Sequence, residues 1–178
     1  FLAAPGLSRP AKRWGAAAST GEEPYSIAIT IAESGTAAQL LATDIDTHVL
    51  ATAERGVYRM EAAQACGEHR LRKHFLRGAG ANSGMVRVKP EIARLVQFAQ
   101  ANLLDQGWPV VERFSTQVDA VFCRNVMIYF DRETQCRILG RIAKVLRPGG
   151  LLFVGHSENF TDCRELFSLR GKTVYRRL

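Results

Sequence analysis

The sequence predicts a doubly wound α/β sheet carrying a small antiparallel insertion, and three observations lead there. Strand-like and helix-like stretches alternate twice within about the first 45 residues after residue 12, the signature of parallel βα units. The alternation breaks over residues 57–98 and resumes afterwards. Each apolar strand-like run also ends in small or polar residues, which gathers ligand-capable groups at one end of a parallel sheet. The expected organisation is residues 1–56 as the first part of the α/β domain, 57–98 as an inserted β-subdomain, and 99–178 as the remainder.

The stretch RWGAAASTGEEPYS, residues 13–26, sets the pattern. Trp14 is a short apolar entry, and Ala16, Ala17 and Ala18 let the backbone approach a ligand closely. Ser19, Thr20 and Gly21 suit a tight turn into a helix N-terminus. A helix follows from Tyr25 to about Glu33, with Ile27 and Ile31 at helical spacing, and ends near Ser34-Gly35. Gln39 to Thr43 reads as a buried parallel strand that stops at Asp44-Ile45-Asp46. Asp46, THVLATAER and Gly56 read as N-cap, helix and terminal glycine.

Residues 57–98 contain a basic amphipathic segment, EHRLRKHFLR, then the loop GAGANSG and the alternating MVRVK, a turn around Pro90, and LVQF. Alternation after a glycine-rich loop predicts a small antiparallel sheet. Val118 to Arg124 is a strongly apolar strand. Asp131 caps a helix running to Leu146, with Ile138, Ile142 and Val145 on one face. Arg147-Pro148-Gly149-Gly150 is expected to stop that helix and turn into the strand LLFVG. The tail, FSLRGKTVYRRL, reads as a hairpin adding antiparallel edge strands.

Composition narrows the function classes. At 178 residues and 47% apolar content the chain can bury a real core. No apolar run reaches the ~18 residues that span a membrane, so membrane insertion is not expected. The first residues lack the apolar centre of a secretory signal, and the chain reads as a piece of something longer. Cys66, Cys123, Cys136 and Cys163 are scattered without a Cys-x-x-Cys pair, which argues against a zinc site or disulfide framework and fits a reducing cytoplasm. The net charge of +7 is either a solvated surface or the footprint of an acidic partner, nucleic acid or protein.

The strand ends carry the candidate chemistry: Ala16 to Glu22, then Asp44, Asn102, Arg124-Asn125 with Tyr129 a turn later, and His156 to Glu158. Asp44 lies 23 residues beyond Gly21, near the ~20-residue offset at which an acid meets a ribose diol. Asp46 is the better N-cap, which leaves Asp44 for the ribose. Glu22 and Glu23 make the first loop repel pyrophosphate, unlike a glycine-rich phosphate cradle. Helix-dipole stabilisation accounts for one acid. Two in a row suit a positive centre beside a ribose, namely the sulfonium of S-adenosylmethionine. Asn102 and Asn125 either bind adenine and amino-acid groups or close turns. On pattern alone Tyr129 is by default a core aromatic, and His156 a structural histidine. No Ser/His/Asp or Cys/His arrangement suggests hydrolysis.

Together, WGAAASTGEEPYSIA, ATDIDTHVLATAERGVY, NLL, FCRNVMIYFD and RPGGLLFVGHSENF resemble, in that order, the chemotaxis receptor methyltransferases of the CheR family. The resemblance covers nearly the whole chain and matches the family's catalytic domain, downstream of its N-terminal helical domain. It implies a Rossmann-like S-adenosylmethionine-dependent fold and methyl transfer to glutamate side chains of chemoreceptors. By position, Ala16, Ala17, Ala18, Glu22, Asp44, Asn102, Leu103, Arg124 and Asn125 are similar to the family's cofactor contacts, and Tyr129 matches a tyrosine thought to assist transfer. The insertion resembles a β-subdomain that, in some members, holds a receptor's C-terminal peptide by strand addition, and GAGANSG looks like the version in such members. The implied partners are the cytoplasmic domains and C-terminal tails of chemoreceptors, met in the cytoplasm by a monomer, with no nucleic acid. Ala18 stands where many members have Cys. Arg9 is a candidate for the family's substrate-positioning basic residue, though the local match does not transfer that role.

The rival from another class is a receptor-tail-binding module that methylates poorly without the N-terminal domain. A nucleic-acid amino-methyltransferase would carry Asp/Asn-Pro-Pro-Tyr where Arg124-Asn125-Val126-Met127 stands. A nicotinamide dehydrogenase would carry Gly-x-Gly-x-x-Gly after the first strand.

Overall fold

The fold is taken from a computed structural model that describes residues 9–158 and 165–178. In chain order the strands are β1 (Ala11–Gly15), β2 (Ala38–Asp44), β3 (Val57–Arg59), β4 (Phe75–Arg77), β5 (Met85–Val88), β6 (Val96–Gln100), β7 (Val118–Cys123), β8 (Leu146–Val154), β9 (Phe167–Gly171) and β10 (Val174–Arg177). The helices are α1 (Glu22–Ser34), α2 (Thr47–Arg55), α3 (Met60–Ala63), α4 (Glu68–His74), α5 (Pro90–Ala93), α6 (Pro109–Phe114) and α7 (Arg132–Val145).

Seven strands form one sheet in the order β6-β2-β1-β7-β8-β10-β9. Strands β6, β2, β1, β7 and β8 pair in parallel, and the β9–β10 hairpin adds antiparallel strands at the edge. From β1 the chain winds outward through β2 to β6, then returns to the other side of β1 as β7 and β8. The order therefore reverses between β1 and β7, where a parallel sheet opens a crevice at its strand C-termini.

The core explains why these residues take these elements. On one face Trp14, Leu41, Val121 and Leu152 pack with Val111 of α6 and Ile138, Leu139 and Ile142 of α7. Trp14 meets Trp108 at 4.8 Å between ring centres and donates its indole N–H to Thr43 Oγ1 at 2.9 Å, so its one polar atom is satisfied inside. On the other face Ile27 and Ile31 of α1 cover Leu40, Ala120 and Phe122. Helix ends follow local chemistry. Asp46 accepts from His48 N at 2.7 Å and Asp131 from Thr134 N at 2.8 Å, while Gly35 and Gly56 close α1 and α2 in the left-handed conformation.

A second sheet, in the order β3-β5-β4, is antiparallel and three-stranded. Val86, Val88, Phe75 and Leu71 pack against Tyr25, Ala28 and Ile29 of α1. Arg70 and His74 of α4 both reach Glu33 of α1, at 2.7 and 3.1 Å.

Two boundaries differ from the sequence expectation. Residues 96–98 belong to β6 of the large sheet, because Leu40 to Asp44 supply a parallel partner for Val96 to Gln100. Arg147 to Gly150 do not turn out of the sheet. Pairing passes from Val118–Leu146 to Ala120–Leu151, so the segment bulges within β8.

Candidate functional site

Five parallel strands end on the same side of the sheet, with the reversal between β1 and β7 among them, and short backbone bonds tie the loop after β1 to its neighbours. Ala16 N donates to Phe122 O at 2.8 Å and Ala18 N to Thr43 O at 2.9 Å, so the alanine loop is fastened to strands on either side of β1. Ala16 and Ala18 are buried and Ala17 half-buried, which leaves backbone rather than side chain to line the crevice. Gly21, with φ +97°, turns the loop into α1. A Cβ there would lie 2.8 Å from both Ala53 Cβ and Tyr58 Oη, so both conformation and space require glycine. Tyr58 also donates its hydroxyl to Thr20 O at 2.8 Å, fixing the loop from the small sheet.

Asp44 ends β2 half-buried. Its Oδ2 accepts from Ser19 N at 2.8 Å and its Oδ1 from Asp46 N at 3.1 Å. Each oxygen keeps lone-pair capacity for a further donor, as contact with a diol requires. Beyond β6, Asn102 Oδ1 accepts from Leu104 N at 2.9 Å and its backbone carbonyl from Trp108 Nε1 at 2.9 Å. Leu103 is buried beside it. From α7 the Arg141 guanidinium donates to Leu104 O at 3.1 Å and to Asp105 O, clamping that loop.

The two acids of the first loop have separate partners. Glu23 forms an ion pair with Arg124 just after β7, so that carboxylate is neutralised. Exposed Glu22 accepts from Thr20 Oγ1 at 2.6 Å and meets no cationic side chain among the described residues. Of the two loop acids only Glu22 is therefore left without a cationic partner among the described residues, and it borders a hollow with Tyr25, Ser26 and Tyr58.

After β7, Asn125 adopts a left-handed φ of +57° and is exposed. Tyr129 ends a short 3₁₀ turn and is 78% exposed. It stands at the edge of a groove of about 300 Å³ whose other walls include Leu104, Arg137 and Arg141. Tyr129 is thus an exposed rim residue rather than the core aromatic that pattern suggests. His156 is exposed rather than packed inside. Arg9 pairs with Asp119 at 3.1 Å, where Asp119 also accepts from Lys12 N at 2.7 Å and Arg147 Nε at 2.8 Å. Asp119 is the second residue of β7, at the sheet end away from the crevice, so Arg9 does not join the site.

One residue that the strand-end pattern leaves without a role organises this region. Buried Glu158 accepts from the backbone N–H of Asn125, Val126 and Met127, and of Gly155. In sequence it shows as an acid following a strand end in GHSE, within the motif RPGGLLFVGHSENF. Burial, and next the charge of Glu158, push the Cys123 thiol upward from its ordinary 9.0, so that thiol stays protonated and inert at neutral pH.

The residues present could hold S-adenosylmethionine: the small residues leave room for close approach, Asp44 has acceptor capacity that ribose hydroxyls would use, and Glu22 has no cationic partner among the described residues. Among the described residues no group of His, Cys, Asp and Glu could hold a metal ion, and no helix is long and apolar enough to cross a membrane. Cys163 lies outside the described residues.

Known proteins give the same direction. A family model described as "CheR methyltransferase, SAM binding domain" matches residues 3–176. The chain is 52% identical over 166 residues to a "Chemotaxis protein methyltransferase" of Escherichia coli (strain K12), covering 91% of this chain and 57% of that protein. It is 48% identical over 171 residues to "Chemotaxis protein methyltransferase 2" of Pseudomonas aeruginosa, covering 94% of this chain and 60% of that protein. It therefore spans less than two thirds of these relatives' length. Among solved structures, a TehB-like SAM-dependent methyltransferase from Corynebacterium glutamicum matches at a TM-score of 0.53 and 13% identity, covering 96% of this chain and 80% of that one, a likeness of fold.

Proposed function

Because the chain belongs to the CheR methyltransferase family, as its S-adenosylmethionine-binding domain, we propose that it transfers methyl groups from S-adenosylmethionine to glutamate side chains of chemoreceptors. The products would be glutamyl methyl esters, made in the cytoplasm for chemotactic adaptation. What supports this reading is that Ala16–Ala18, Asp44, Asn102 and Arg124–Asn125 follow the C-terminal ends of parallel strands in a sheet whose order reverses beside β1, with Tyr129 on the exposed turn after β7.

The bound cofactor supplies an electrophilic methyl group on a sulfonium. The chain's own residues then do positional work. Asp44 accepts from ribose hydroxyls, and Glu22 places negative charge near the cation. Ala16 to Ala18 leave room for close approach, Asn102 and Leu103 border the adenine, and Arg124 and Asn125 hold the far side. The acceptor carboxylate is ionised at neutral pH, so no general base is required. Catalysis rests on alignment and exclusion of water, and the Tyr129 hydroxyl orients the acceptor oxygen.

The subdomain built on β3, β5 and β4 is proposed to hold a receptor's C-terminal tail. Leu76 on edge strand β4 is exposed between Phe75 and Arg77, which leaves a strand edge with an apolar and a basic side chain available. Such a tether raises the local concentration of acceptor glutamates. The basic balance of the chain, +7, suits an acidic receptor surface.

The test uses methyl-labelled S-adenosylmethionine with receptor cytoplasmic domains, followed by mild base. Volatile methanol is expected, because carboxyl methyl esters hydrolyse. Label that survives base sinks the glutamate reading. Tail binding with no label transferred favours a binding module instead.

A further inference from the structure

We propose that Glu158 is a positioning residue for methyl transfer: its carboxylate ties the end of β8 to the segment 125–127 and so fixes where Tyr129 stands on the exposed turn after β7. The inference rests on the methyl-transfer reading above and extends it to a residue outside the crevice lining.

Four donors reach one buried side chain. Oε1 accepts from Met127 N at 2.9 Å and Val126 N at 3.1 Å, and Oε2 from Asn125 N at 3.2 Å and from Gly155 N. A carboxylate offers about four lone-pair directions, and all of them are used here. Three of the donors are successive amides that turn toward one point, a concave arrangement of N–H groups that selects an anion. Asn125 is left-handed, at φ +57°, and this lets the chain fold its amides inward directly after a straight strand. With no acceptor at the centre, three like-oriented N–H groups would be buried together and the turn would open.

Space is reserved for this contact. A Cβ on Gly155 would lie 2.9 Å from Glu158 Oε2 and 3.1 Å from Asn125 N. From the anchored Met127 N the chain needs only the 3₁₀ turn Met127–Tyr129, in which Tyr129 N donates to Val126 O at 3.2 Å. Gln135 Nε2 caps the turn from α7, bonding Met127 O at 2.9 Å and Phe130 O at 3.0 Å. Tyr129 itself is 78% exposed, so its place is set by this backbone rather than by packing of its ring.

Glutamine at 158 keeps the shape but turns an NH2 toward one pair of donors. The chain is labelled with 3-fluorotyrosine, and the Tyr129 fluorine line is assigned by its loss in Tyr129→Phe. In Glu158→Gln that line is expected to shift or broaden. Transfer at saturating S-adenosylmethionine is expected to fall by up to about tenfold, no further than loss of the Tyr129 hydroxyl itself would lower it. Affinity for S-adenosylhomocysteine is expected to change by less than about fivefold, because of the proposed cofactor contacts only Arg124–Asn125 adjoin this anchor, while the Ala16–Ala18 loop and Asp44 are held by other bonds. In Glu158→Gly, added formate is expected to restore the line by filling the ring of amides. A lowered melting temperature with an unmoved line and a rate within twofold of the parent overturns the proposal, since the carboxylate then only stabilises the fold. If Glu158→Gln does not fold, Gly155→Ala, which crowds the carboxylate without removing it, is judged by the same two readouts. If the parent chain makes no methyl ester, the proposed activity fails, while the fluorine line still decides the anchoring.

Discussion

Replacing Asp44 and Asp46 one at a time by alanine separates ligand contact from helix capping within a span of three residues. Asp46 accepts one bond, from His48 N at 2.7 Å, as the N-cap of α2. Losing a cap of this kind costs about 1 kcal/mol, or roughly 2–4 °C in melting temperature for a chain of this size. Asp44 also accepts two backbone bonds, from Ser19 N and Asp46 N, both at exposed positions. Its structural cost is therefore similar, about 1 kcal/mol. The two variants should melt alike, and they should differ in binding. Two hydrogen bonds from ribose hydroxyls to a charged acceptor are worth about 2–3 kcal/mol together, which corresponds to a loss of roughly 30- to 150-fold in affinity. Titration calorimetry with S-adenosylhomocysteine should show that loss for Asp44→Ala and less than about a twofold change for Asp46→Ala. Equal losses would refute the division of roles. They would mean that Asp44 acts only by holding the Ser19–Asp46 loops together.

Tyr129→Phe should leave stability within about 0.5 kcal/mol, because the side chain is exposed. It should lower methyl transfer about tenfold, the loss of one orienting hydrogen bond, read as base-labile methanol at saturating cofactor. Glu33 carries the pH dependence of the junction between α1 and α4. Its hydrogen bond to Arg70 holds the carboxyl below its ordinary 4.5, against a smaller opposing effect of burial. A depressed folded value means that the contribution is fully present above about pH 4.5–5 and is lost as pH falls through the folded value. Urea unfolding from pH 3 to 6 should show Glu33→Gln less stable by at most about 1 kcal/mol at pH 6, with the difference vanishing in acid.

Features that depend on neighbours in sequence are legible from the chain alone, and those that depend on partners far along it are not. Asp46 and Asp131 stand directly before periodic apolar runs, so capping chemistry identifies both. Asp44, Asn102 and Arg124 are visible because each interrupts or follows an apolar run. The ion pair of Glu23 with Arg124 joins residues 101 apart in sequence, and nothing local to either announces it. Glu158 is a single acid in a stretch without periodicity, and its four donors lie partly about 30 residues upstream. Val96 to Phe98 read as part of the insertion because a short apolar segment does not reveal which strand it pairs with. Residues 147–150 look like a turn because Pro and two glycines mark turns, yet the same residues serve a bulge once β7 runs alongside.

The distribution of charge then accounts for an acid-bearing crevice in a chain of net charge +7. At the strand N-termini Asp119 gathers Arg9 and Arg147, so that buried acid is balanced where no cofactor contact is proposed. At the C-termini the balance is left incomplete. Arg124 neutralises Glu23, and Glu158 is satisfied by backbone amides, which carry no net charge. Glu22 and Asp44 accept only a hydroxyl and backbone N–H groups among the described residues. Two carboxylates held by neutral donors keep their charge available to a cation and do not have to exchange an existing ion pair for it. The same arrangement disfavours a cofactor rich in phosphate, whose charge would meet those acids unscreened at short range. Replacing both acids by their amides should therefore weaken S-adenosylmethionine binding more than binding of the uncharged thioether S-adenosylhomocysteine. The ratio of the two affinities measures how much of the discrimination the field of these residues supplies.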